Sequence, residues 1–171
     1  MRPAVRCALG PCLVAVSALV APVAAADDDF LFSPASVESC LAAGGGGDCI
    51  GLAATACMEA TPWGASTIGM TTCMGAEHDW WDGRLNVTYQ ALMEKERRTD
   101  SDFPPSPGGL GLAETLRAQQ RAWIAYRDAR CTYEMAQWMG GTGGRLVHAS
   151  CLLQMTAEQT LWLDARLMAE D

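Results

Sequence analysis

Two stretches of the chain concentrate side chains able to do chemistry. The first runs Glu77-His78-Asp79-Trp80-Trp81-Asp82 and continues through Arg84, Leu85 and Asn86 to Tyr89. On a helix, Asp82, Asn86 and Tyr89 fall at three- and four-residue steps and share a face. In the second stretch, Gln119, Trp123, Arg127 and Cys131 stand at strict four-residue steps, with Asp128 following Arg127. If the two faces pack together, Arg127 is desolvated, and a carboxylate or amide such as Asp82 or Asn86 must complete its hydrogen bonds. Asp82, Asn86, Tyr89, Gln119, Trp123, Arg127 and Asp128 are therefore read as a structural polar network that sets the register of paired helices.

Other chemistries find less support. Glu77, Asp79 and Asp82 have the right groups for acid-base work. Three acids on one helical turn, with no nucleophile placed beside a base, read instead as a solvated face, and no catalytic residue is assigned. Among Cys40, Cys49, Cys57, Cys73, Cys131 and Cys151 no two have the close spacing of a zinc knuckle, and the histidines are only His78 and His148. His78 reads as a solvated surface histidine. Neither metal nor cofactor is expected. The runs Gly44 to Gly47 and Gly140 to Gly144 lack the lysine and hydroxyl ending of a phosphate loop and read as helix stops.

The elements that must carry these residues are helices. No alternating run is long enough for a strand, whereas apolar residues recur three and four apart. The pattern predicts an all-α fold: a small disulfide-stabilised bundle with two long antiparallel helices plus shorter ones. Ser33 caps and Pro34 opens a short helix to about Ala43, and Asp48 caps a second to about Glu59. Ser66 or Thr67 starts a long helix toward Arg98. Thr99 to Gly111, with Pro104, Pro105, Pro107 and Gly108-Gly109, is a surface loop. A second long helix runs from about Leu112 to Met139. A last helix covers about Thr156 to Met168, preceded by a short turn around Cys151.

Residues 1–26 have the layout of a secretory signal peptide: Arg2 and Arg6, an apolar run, then Ala24-Ala25-Ala26 before three aspartates. Cleavage near Ala26 predicts a periplasmic or secreted protein with no membrane span left after cleavage. The six remaining cysteines then read as three disulfides in an oxidising compartment. Fifteen pairings are possible; locality favours Cys40–Cys49, Cys57–Cys73 and Cys131–Cys151. Ten basic residues remain against 20 acidic ones, a formal charge of −10. That sign excludes a nucleic-acid surface and suits a cationic partner.

The order Cys73, Asp82, Leu85-Asn86, Tyr89, then Gln119, Trp123, Tyr126-Arg127-Asp128, Cys131, and finally Cys151 with Thr156, resembles the lysozyme-inhibitor LprI-like N-terminal family. The likeness covers roughly residues 57–168 and divides the mature chain into a helical extension, 27–56, carrying Cys40 and Cys49, and an LprI-like helical domain, 57–171. The family implies a small, exported, cysteine-linked helical bacterial protein. Its name implies inhibition of lysozyme; occluding a cleft requires a projecting loop, and the candidates are Thr99 to Gly111, with Asp100, Asp102 and Phe103, and Gly140 to Arg145. The alternative is an interaction module of the cell envelope with another partner.

Overall fold

The computed structural model describes residues 30–169, so the leader and cleavage point expected from the sequence lie outside the described residues. The described chain is helical throughout: α1 (Ala35–Ala42), a 3-10 turn (Gly46–Cys49), α2 (Leu52–Ala60), α3 (Thr67–Asp102), α4 (Leu112–Ala136) and α5 (Gly143–Met168). The 36 residues of α3 make it the spine, about 54 Å long. After a short loop α4 returns antiparallel to it, and α5 turns again to run parallel with α3. Cross-bonds fix that pairing. Asp164 of α5 takes the Arg84 guanidinium through Oδ2, at 3.0 and 2.8 Å, and the Thr88 hydroxyl through Oδ1, at 2.8 Å.

The last helix is much longer than the periodicity alone predicts. Gly143-Gly144, read above as part of a helix stop, begins α5, so the bundle has three long helices. The residues from 145 to 155 are a continuous part of α5 rather than a separate turn. The glycines are there for closeness: a Cβ on Gly143 would collide with the Trp138 ring, which closes over the turn. At the preceding turn α4 ends at Ala136, three residues earlier than expected.

The N-terminal helices cover the first half of α3. Val37, Cys49, Ala53, Ala54 and Cys57 share one core with Cys73, Trp81, Leu153 and Ala157, so residues 30–56 pack directly on α3 and α5. A second core, Leu85, Leu92, Met93, Ala113, Leu116 and Leu163, fills the other half of the bundle. The disulfides join Cys40 to Cys49, Cys57 to Cys73 and Cys131 to Cys151. The first closes the turn after α1, the second ties α2 to α3, and the third staples the α4–α5 hairpin.

Helix starts are capped in two ways. Ser66 caps α3 locally, its hydroxyl accepting from Gly69 N at 2.9 Å. Ser33 Oγ accepts from Ala35 N at 3.3 Å, but α1 begins at Ala35, one residue later than Pro34. Asp48 does not cap α2. It lies in the 3-10 turn, and α2 starts after Gly51, whose φ of +89° suits glycine. The capping oxygens come from Glu77, 26 residues away. Oε1 of Glu77 accepts from Gly51 N at 2.7 Å and from Trp81 Nε1 at 3.0 Å, and Oε2 accepts from Ala54 N at 2.6 Å.

Glu77 is therefore fully buried and not part of a solvated face. Its truncation leaves three donors without a partner, two of them at the N-terminal end of α2, Gly51 N just before it and Ala54 N in its first turn. Glu77→Ala is expected to destabilise the protein by about 3 to 5 kcal/mol, and Glu77→Gln, which keeps one acceptor, by less. Urea unfolding of the oxidised variants checks this. Equal stability of Glu77→Ala and the parent would refute the cap.

Candidate functional site

Two features of the long helices present polar groups to solvent in an organised way. The first is a groove of about 300 Å³ between α3 and α4. Its α3 wall is Asp82, Leu85, Asn86, Tyr89 and Gln90; its α4 wall includes Arg117, Gln120, Arg121, Trp123, Ile124 and Arg127. Asp82, Asn86, Tyr89, Trp123 and Arg127 of the expected network are thus brought together. Gln119 and Asp128 are not among the residues lining this groove.

The reason Gln119 departs is the helical pitch. A strict four-residue step advances about 40° around the helix each time, so Gln119 is rotated about 80° from Arg127. It lines a separate hollow with Leu92, Trp162 and Arg166. Gln120 takes the inner position in its place. It is buried, and its Oε1 accepts from Gln159 Nε2 of α5 at 2.9 Å. Arg117, Gln120, Ile124 and Arg127 follow the three- and four-residue pattern on α4, which is the sequence signal that identifies this face.

Arg127 is completed by partners other than those expected. Its guanidinium lies 5.0 Å from the centre of the Trp123 ring. It donates to Asp128 Oδ1 at 2.9 Å and to Thr156 Oγ1 at 3.3 Å, while Asp82 bonds to Asn86 of its own helix at 3.0 Å. Among the described residues no hydrogen bond crosses the groove from α3 to α4. Arg117 and Arg121, on its rim, form no ion pair or hydrogen bond with any described residue.

The second feature is the α3–α4 connection. Helix α3 runs through Asp102, so the loop is 103–111 and Asp100 belongs to the last turn of the helix rather than to the loop. Asp100 has a specific task. Its Oδ1 accepts from Leu112 N at 2.8 Å and its Oδ2 from Ala113 N at 3.0 Å, capping α4 across the loop. The carboxylate thereby holds the two ends of the loop together. Beyond it project Phe103 and Leu110, each 77% exposed, around Pro104, Pro105 and Pro107. Asp102 is exposed beside them.

Arg145 lies elsewhere. It borders a hollow with Thr71, His78 and His148 near the start of α3, whereas Asp100 is near its end, about 44 Å along the helix. Arg145 and the loop therefore cannot form one compact contact. His78 is largely buried there: its Nδ1 lies 3.0 Å from Asp79 Oδ1, and its Nε2 is buried. Among the described residues no cluster of three or more His, Cys, Asp or Glu is placed to hold a metal ion. Among them, too, no helix is long and apolar enough to cross a membrane.

Asp100→Ala is expected to cost about 1 to 2 kcal/mol, the usual value of a lost N-cap. It should speed hydrogen exchange at the Leu112 and Ala113 amides. Unchanged exchange at both amides would show that the carboxylate does not hold the loop.

Comparison with known proteins gives these features a context. Residues 57–163, from the end of α2 into α5, match the family described as Lysozyme inhibitor LprI. Over 124 residues the chain is 31% identical to an uncharacterized 17.7 kDa protein in the puhA 5′ region of Rhodobacter capsulatus, covering 68% of this chain and 73% of that protein. It is also 28% identical over 96 residues to the uncharacterized protein R02472 of Rhizobium meliloti (strain 1021), covering 56% of this chain and 69% of that protein. No solved structure matches the chain.

Proposed function

Because the chain belongs to the lysozyme inhibitor LprI family, we propose that it is an extracytoplasmic binding protein that inhibits a lysozyme by occluding its cleft. The observation that carries this reading is the family match over residues 57–163, which takes in α3, α4, the loop between them and most of α5. Three disulfides are consistent with an oxidising compartment outside the cytoplasm. The protein works by association rather than by turnover.

The loop 103–111 is the element best shaped to enter a cleft. Its ends are tied by Asp100, and its three prolines limit the freedom lost on binding, so its exposed Phe103 and Leu110 are presented at low entropic cost. Asp102 and the acidic balance of the chain would draw a cationic enzyme toward it. Asp100 contributes by holding the loop and not by touching the partner. A contact role is therefore tested with Phe103, Leu110 and Asp102, leaving Asp100 intact.

A second reading, an envelope interaction module with a different partner, draws on the far end of the bundle. There Ile68, Met135, Trp138 and Met139 are exposed beside the α4–α5 turn.

The test is lysis of a peptidoglycan suspension by a basic lysozyme, titrated with the oxidised protein at low and physiological salt. Saturable inhibition that weakens with salt is expected. Phe103→Ser combined with Leu110→Ser should weaken it by about tenfold or more, and Asp102→Lys chiefly at low salt. Full inhibition by the double variant would remove the loop from the reading. No inhibition by any folded sample would leave the interaction module as the better account.

A further inference from the structure

The α3–α4 groove has more binding capacity than the fold uses. Of the ten basic residues that follow residue 26, three line it: Arg117, Arg121 and Arg127. Arg117 and Arg121 are neighbours on one helical face, where like charges cost rather than contribute stability. Among the described residues only Asp82 brings a carboxylate to the lining of the groove, and it is bonded to Asn86. The two exposed arginines have no ion-pair partner among the described residues.

The floor and walls of the groove add further donors without a described protein partner. Gln120 is 5% exposed, with its Oε1 held by Gln159. Its Nε2 makes no hydrogen bond to any described residue. The Tyr89 hydroxyl and the Trp123 indole N–H, both on half-buried rings in the same walls, are likewise without a described protein partner. Among the described residues no hydrogen bond crosses the groove, so these donors do not set the α3–α4 register. None of these three atoms is sealed from solvent, so each is open to a ligand that enters the groove.

We propose that this groove binds a small saccharide bearing a carboxylate. The carboxylate meets Arg117 and Arg121, whose guanidinium groups offer paired donors matched to its two oxygens. Gln120 Nε2 and Tyr89 supply hydrogen bonds to ring hydroxyls, and the parts of the Tyr89 and Trp123 rings not covered by Arg127 or the core give the sugar apolar edges to lie against. Asp82, Asn86 and Gln90 add the acceptors that a neutral part of such a ring requires. The volume of about 300 Å³ suits one or two rings rather than a long chain. This site is independent of the lysozyme reading: it lies along the helices and requires no contact from the loop.

The test follows the Trp123 indole N–H of the oxidised, isotope-labelled protein by NMR during titration with glucuronate, N-acetylmuramate, glucose, acetate and inorganic phosphate. Saturable shifts of that resonance with at least one of the two acidic sugars, and binding at least about tenfold weaker for glucose and acetate, are expected. Arg121→Gln should weaken acidic-sugar binding by about tenfold, whereas Arg130→Gln, on α4 outside the groove, should leave it unchanged. Both are exposed positions, and circular dichroism checks that each variant remains folded. The proposal is overturned if neither acidic sugar binds by about 10 mM, if acetate or phosphate binds as tightly, or if Arg121→Gln binds like the parent.

Discussion

The arrangement of the first half of the molecule hangs on a buried carboxylate. Glu77 sits on α3, but its oxygens are spent on the start of α2 and on the Trp81 indole. An ionisable group in a core is costly unless its hydrogen bonds are complete. Here three donors complete them, and each would itself be orphaned without the acid. The arrangement leaves α2 one way to lie against α3. The Cys57–Cys73 bond then holds that docking covalently, a few residues from the same contact.

The same device recurs along α3. At its far end Asp100 caps α4, and in its middle Arg84 and Thr88 engage Asp164 of α5. One long helix thus sends a polar side chain to each neighbour at a different height. The apolar cores between these points contain alanines, cysteines and threonines as well as large side chains. Directional bonds therefore carry much of the specificity that a bulkier interior would supply by shape.

Much of this was legible in the sequence, and the reasons for the rest are local. The helical period, the Ser66 cap and the proline-rich break follow from patterns confined to a few residues. Short-range cysteine pairing follows from the same kind of adjacency. Glu77 was not legible, because nothing near it distinguishes it from Asp79 and Asp82; its burial depends on a helix start 26 residues earlier. Gly143-Gly144 read as a stop because glycine punctuates helices, yet the packed Trp138 ring makes it the opening of one. In the groove, strict four-residue counting selected Gln119, while the true pitch selects Gln120. Five of the seven network residues were brought together, but Arg127 found its partners on α4 and α5 rather than on α3.

The three disulfides among the described residues also have an order. Each joins a cysteine to the next one along the chain, with spans of 9, 16 and 20 residues, and none encloses or crosses another. A chain oxidised as it emerges from its N-terminus can close each ring as soon as the second cysteine appears, without waiting for later sequence. Sequential oxidation alone gives the native connectivity, so maturation places little demand on disulfide shuffling.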